Sequence, residues 1–183
     1  VVLRSGDGRP GPRVGGALHE RDTELESLHR LLALVPTTGG RIVLVRGEAG
    51  IGKSALVSRF LDDVANQVSI LVGECDDLLT PQSLGPVWDV ARDEASLQAP
   101  LRAGNRRAVM DRMLGLLCRK MRPTVLVFED MQWADDATLD VTRFLGRRVS
   151  RVNGLVVLTY RDGEVDTFHP LRLVIGEIPS ELI

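Results

Sequence analysis

Nine consecutive residues, Arg46-Gly47-Glu48-Ala49-Gly50-Ile51-Gly52-Lys53-Ser54, constrain this chain more than any other stretch. Gly47, four free positions and then Gly52-Lys53-Ser54 form the pattern of a phosphate-binding loop, or P-loop. Each residue type has a physical reason. Glycines let the backbone turn tightly and aim consecutive N–H groups at phosphate oxygens, where a side chain would intrude. A lysine at position 53 reaches the terminal phosphates, and the Ser54 hydroxyl is placed for the Mg²⁺ that accompanies them. A helix that starts at the loop directs its positive dipole end at the same anion. A chance match in a chain of this length is on the order of one in a hundred, given glycine at ~7% of residues. The flanks agree with the motif: Arg41-Ile42-Val43-Leu44-Val45 reads as a buried strand and Ala55-Leu56-Val57-Ser58-Arg59-Phe60-Leu61 as a helix.

Composition narrows the partners. The chain has 183 residues, 44% of them hydrophobic, which suits one globular domain with a real core. Its formal net charge of −2 offers no basic surface for nucleic acid, and 4% aromatic residues argue against stacking platforms for single strands. Cys75 and Cys118 lie far apart without paired spacing, so free thiols in a reducing compartment are expected rather than a disulfide or a zinc site. No apolar run approaches the ~20 residues of a membrane span, and the start of the sequence lacks a signal peptide's apolar region. A cytoplasmic location, with no membrane or direct nucleic-acid partner, is the expectation.

Residues 1–16, rich in glycine, proline and polar residues, read as a flexible tail. From Leu18 the pattern is helical, with Leu25, Leu28, Leu31, Leu32 and Val35 on one face, Asp22 or Thr23 as its cap, and a break at Pro36-Thr37-Thr38-Gly39-Gly40. Beyond the P-loop helix, residues 68–73 read as a strand, 84–95 and 103–121 as helices, 124–128 as a strand, 136–148 as a helix capped by Asp135 or Asp136, and 154–160 as a strand. The arginines 106, 107, 112, 119 and 122, with Lys120, read as a solvated helix face. The runs Thr124-Val125-Leu126-Val127-Phe128 and Gly154-Leu155-Val156-Val157-Leu158 are continuously apolar, as in parallel strands buried on both faces. Strands alternating with helices imply an α/β sandwich around a mainly parallel sheet. Ligands on such sheets bind at the carboxyl ends of the strands, where the P-loop, Glu129-Asp130 and Arg161 all fall.

Hydrolysis of a nucleoside triphosphate needs a carboxylate for Mg²⁺ and a group that orients water. Glu129 and Asp130 supply two carboxylates at one strand end, and because side chains alternate along a strand they serve different jobs. One faces the Mg²⁺ shell and the other the γ-phosphate; which is which stays open. Arg161 is a candidate cation for γ-phosphate charge. His19, His29 and His169 show no ligand spacing, Trp88 and Trp133 read as packing residues, and Cys75 as a buried thiol.

Several segments together resemble a known family: Leu18-His19-Glu20-Arg21-Asp22 before an amphipathic helix, the P-loop, Cys75-Asp76-Asp77-Leu78, Leu84-Gly85-Pro86, Glu129-Asp130-Met131-Gln132-Trp133-Ala134-Asp135 and Leu158-Thr159-Tyr160-Arg161-Asp162. In this order they look like the AAA-type P-loop ATPase module of the large LuxR-type transcriptional regulators and related signal-transduction ATPases. The resemblance covers roughly residues 17 to 178. It implies a three-layer P-loop NTPase sandwich of the additional-strand type, binding ATP or ADP with Mg²⁺ and slowly hydrolysing ATP as a switch, with a protein partner or self-association. Carried over, Gly47, Glu48, Ala49, Gly50, Ile51, Gly52, Lys53, Ser54 and Ala55 hold the phosphates, and Glu20 and Arg21 lie near the adenine. Ser54, Glu129 and Asp130 serve the metal, while Glu129, Asp130 and Arg161 serve catalysis. The resemblance also places the acidic-pair strand beside the P-loop strand. Two departures stand out. Glu129 occupies a position where the family usually has aspartate, and residues 17–183 match the core alone, without lid, winged-helix or DNA-binding domain. Two other readings of the residues remain: a non-catalytic nucleotide-binding interaction module and a P-loop small-molecule kinase.

Overall fold

The computed structural model describes residues 16–119 and 121–182. The tail expected for residues 1–16 lies outside them except for Gly16, which opens the first helix, and Lys120 lies outside as well. The chain runs α1 (Gly16–Thr38), β1 (Arg41–Gly47), α2 (Lys53–Val64), β2 (Ser69–Glu74), α3 (Gly85–Asp93), α4 (Gln98–Arg102), α5 (Arg106–Leu117), β3 (Thr124–Glu129), α6 (Asp136–Gly146), β4 (Gly154–Arg161) and α7 (Pro170–Gly176). The strands form one sheet in the order β1-β4-β3-β2, every neighbouring pair parallel.

Alternation along the strands builds two cores, one on each face. Val125 and Val127 of β3, with Leu155 and Val157 of β4 and Val43 and Val45 of β1, pack under α1 and α2 against Leu28, Leu32, Val35, Val57 and Phe60. Leu126, Phe128, Val156 and Leu158 face the other way and meet α3, α5, α6 and α7 through Val87, Val90, Val109, Met113, Val141, Leu145 and Leu171. The result is a three-layer sandwich. Each fully buried aliphatic side chain contributes about 1.5–3 kcal/mol, so the central strands anchor both layers at once.

The acidic-pair strand is not beside the P-loop strand: β4 lies between β1 and β3. Burial gives the reason. All but the last residue of β3 and of β4 are buried, whereas β1 carries half-exposed Arg41 and Arg46, and β2 carries half-buried Ser69 and an exposed Val72. The two most uniformly apolar strands take the middle, where both faces and both edges are covered.

Helix boundaries also differ from expectation, and Pro36, expected to help break α1, lies inside it because the helix runs on to Thr38. Asp22 and Thr23 lie inside α1 rather than capping it, because Ala17-Leu18-His19-Glu20-Arg21 carries no helix breaker and the helix starts at Gly16. The helix expected over 103–121 begins only at Arg106. Gly104 sits at φ 62°, a left-handed conformation that ends α4, and the Asn105 side chain then accepts the Ala108 N–H at 3.0 Å to start α5. Asp135 caps α6 as expected, accepting from the N–H groups of Ala137 and Thr138.

Candidate functional site

Four strand ends converge on one edge of the sheet. Gly47 pairs in register with Arg161 across β1 and β4, and Glu74 pairs with Glu129 across β2 and β3. The P-loop therefore sits next to the β4 end and one strand further from the acidic pair.

The loop has the backbone that its glycines predict. Gly50 and Gly52 adopt φ 73° and 92°, and Gly52 is the left-handed residue at the start of α2. An L side chain at either position is strained, so the turn depends on glycine. Lys53 begins α2 and folds back over the loop, its Nζ donating to the carbonyls of Gly47 at 3.1 Å and Glu48 at 3.0 Å. Only 7% of Lys53 is exposed. Burial lowers its pKa from the usual lysine value, while the negative charge of Asp130 pulls the other way. The ammonium is thus held in a cradle of carbonyls that an incoming anion can replace.

Ser54 and the acidic pair sort themselves by geometry. Ser54 Oγ donates to Glu129 Oε2 at 2.6 Å. Asp130 makes different contacts, at φ 53°, a conformation uncommon for a non-glycine residue. Its N–H donates to Thr159 Oγ1 at 3.0 Å, and its Oδ1 accepts from Gln132 Nε2 at 3.0 Å. Arg161 Nε lies 4.0 Å from the same Oδ1. The Arg161 guanidinium stacks on the Trp133 ring, 4.4 Å from its centroid, and Nη1 donates to Glu164 Oε1 at 2.8 Å.

A pocket of about 240 Å³ lies among these groups, lined by Gly50, Gly52, Lys53, Ser54, Ala55, Asp130 and Arg161. That is below the 300–1,000 Å³ typical of a cleft enclosing a whole small molecule, and it suits a polyphosphate chain whose remaining parts lie outside. Gly47 and Glu48 form its lysine cradle, and Ala49 and Ile51 complete the turn. Glu20 and Arg21 belong to the α1 backbone, and their side chains lie outside the described residues.

The donor set fits Mg²⁺. One hydroxyl and one carboxylate oxygen within 2.6 Å of each other are hard ligands, and Mg²⁺ ordinarily takes one or two carboxylates, substrate phosphates and waters rather than an all-protein cage. In keeping with that, no cluster of three or more histidine, cysteine or acidic side chains suited to a metal occurs among the described residues. Cys75 is buried, and burial with the surrounding carboxylates pushes its thiol up to about 12.

Three residues of the site carried no assigned role in the sequence. Gln132, 5% exposed, bonds Asp130 through Nε2 and accepts the Arg161 N–H at Oε1, 3.1 Å away. Thr159, 1% exposed, holds the Asp130 backbone. His169 ties its Nε2 to the Gln132 carbonyl at 3.1 Å. A threonine inside an apolar strand reads as core, and only the fold brings positions 130 and 159 together.

Known proteins place this chain in a class. The model of the AAA ATPase domain family matches residues 17–158, and the chain belongs to that family. Among solved structures it is similar to Cdc6p from Pyrobaculum aerophilum, with a TM-score of 0.62 and 17% identity over 92% of this chain and 46% of that one. It is also similar to Drosophila ORC bound to DNA, with a TM-score of 0.52 and 16% identity over 87% and 83% of the two chains. These likenesses extend to the fold. An uncharacterized protein of Rhizobium meliloti (strain 1021) is 25% identical over 220 residues, covering 92% of this chain and 21% of the relative. The chain thus spans about a fifth of that curated relative and under half of Cdc6p. Among the described residues no helix is long and apolar enough to cross a membrane.

Proposed function

We propose that residues 17–183 bind ATP and ADP with Mg²⁺ and slowly hydrolyse ATP, as the switch module of a signal-transduction or transcriptional regulator of the large LuxR type. The observation that carries the nucleotide reading is the single pocket where the P-loop, Lys53, Ser54, Asp130 and Arg161 meet. The regulator reading rests on the ordered motifs from Glu20-Arg21 to Tyr160-Arg161-Asp162, in a chain that belongs to the AAA ATPase domain family.

On binding, Lys53 exchanges the Gly47 and Glu48 carbonyls for β- and γ-phosphate oxygens, a gain because a charged acceptor replaces a neutral one. Ser54 and Glu129 would hold Mg²⁺, which would supply positive charge against the phosphates. Asp130 orients a water in line with the γ-phosphorus. The water oxygen bonds to phosphorus as the bond to the β-bridging oxygen breaks, and its proton passes to Asp130; the products are ADP and phosphate. Arg161 leaves Glu164 to meet the γ-phosphate. Output runs through a protein partner or self-association. With a net charge of −2, this segment makes no direct nucleic-acid contact in the scheme.

ATP and ADP titrations of the protein and of Lys53→Ala, with and without Mg²⁺, test the reading. Removing the ammonium should weaken ATP at least tenfold, from about 1.5–3 kcal/mol for a hydrogen bond to a charged group. Equal affinities for the two proteins would refute it.

A further inference from the structure

The geometry points to Gln132 as a positioning residue that sets Asp130 and Arg161 against the γ-phosphate together. This inference rests on the nucleotide reading above.

Gln132 lies in the short turn after β3 and is 5% exposed, so its amide needs partners. It has one on each side. A backbone N–H can only donate, so the Arg161 N–H fixes Oε1 as the acceptor at 3.1 Å, and Nε2 must face Asp130 Oδ1 at 3.0 Å. One side chain thereby ties the end of β3 to the end of β4. Its own backbone is pinned in turn. His169 Nδ1 accepts the Leu171 N–H at 3.2 Å, which leaves the ring proton on Nε2 to donate to the Gln132 carbonyl at 3.1 Å.

The consequence is chemical. With Oδ1 engaged by Gln132, Oδ2 is the oxygen left to receive the proton of an attacking water. Asp130 occupies an uncommon backbone conformation that Thr159 and Gln132 hold from two directions. The Arg161 backbone is set by the same amide, so the water-orienting carboxylate and the γ-phosphate cation share one support. A base displaced by about 1 Å loses on the order of 10²-fold in rate while ground-state binding of the diphosphate is unaffected.

Two variants separate the bonds. Gln132→Met keeps length and loses both hydrogen bonds. Gln132→Glu keeps the acceptor for Arg161 but puts a carboxylate against Asp130. MgATP turnover, MgATP and MgADP dissociation constants and thermal midpoints are measured for both, beside the unaltered protein and Lys53→Ala. The expected result is a loss of kcat of ten- to a hundredfold in each variant, with the MgADP constant within threefold. The preference for MgATP over MgADP should fall at least threefold. Unchanged kcat and preference overturn the inference and leave the nucleotide reading standing. A fall in MgADP affinity that parallels a fall in thermal midpoint also overturns it, since that marks a merely structural residue. If the unaltered protein binds nucleotide without turnover, the ATP-over-ADP preference alone decides. If it binds no better than Lys53→Ala, the nucleotide reading fails and takes this inference with it.

Discussion

Glu129→Gln is the substitution that most directly sorts the acidic pair. Glu129 Oε2 accepts from Ser54 Oγ at 2.6 Å, whereas Asp130 faces Gln132 and Arg161. If the Ser54–Glu129 pair receives the metal, removing the Glu129 charge weakens Mg²⁺. The pair is solvent-accessible, so the dielectric of water is the right starting point. A unit charge and a divalent ion about 4 Å apart still attract by about 2 kcal/mol there, roughly thirtyfold in a dissociation constant. Ionic screening at physiological salt trims this toward tenfold. The assay is a MgCl₂ titration at fixed ATP, read by a fluorescent nucleotide, for Glu129→Gln and Asp130→Asn in parallel. The half-saturating Mg²⁺ concentration should rise ten- to thirtyfold in the first and under threefold in the second. Turnover in Asp130→Asn should fall at least a hundredfold, the usual worth of a positioned base. The opposite pattern, with Mg²⁺ affinity following Asp130, would refute the assignment.

Two further outcomes follow from the neighbourhood of the site. The Glu74 carboxyl is pushed above the usual glutamate range, first by burial and then by the charges of Glu129 and Asp130. A folded-state pKa above the unfolded one means that this group stabilises the fold only while protonated and costs stability as pH rises through the folded value. Glu74→Gln should therefore raise the thermal midpoint at pH 7 and have no such effect at pH 4, as checked by melting curves; an equal gain at both pH values would contradict it. Cys118 is exposed while Cys75 is buried with its thiol pushed up to about 12, so at pH 8 a thiol reagent should modify one cysteine quickly and the second only on unfolding, as counted by mass spectrometry.

Local chemistry was legible in the residues. The P-loop spacing needs no partner to be read, because glycines at 50 and 52 answer a backbone demand, φ 73° and 92°, that arises within the turn itself. Strands β3 and β4 announce themselves as unbroken apolar runs, and their polar ends mark the ligand edge. The helix around 103–121 was less legible: apolar periodicity carries on past Gly104 and Asn105, and only the left-handed glycine and the asparagine cap divide it.

What the sequence determined by itself is the chemistry on offer: a phosphate loop, two adjacent carboxylates and an arginine, each at the end of a strand. Tertiary structure decided who meets whom. It placed β4 between β1 and β3, since the most apolar strands seek the covered centre of the sheet. That order sets Arg161 opposite Gly47, turns Glu129 toward Ser54, and joins Asp130, Gln132, Thr159 and Arg161 in one hydrogen-bonded group. Apart from the Asp130–Gln132 bond, which lies within one turn, these contacts span about thirty residues of chain or more, and no local pattern encodes them, because a buried amide or hydroxyl takes whatever partner the packing brings within hydrogen-bond distance.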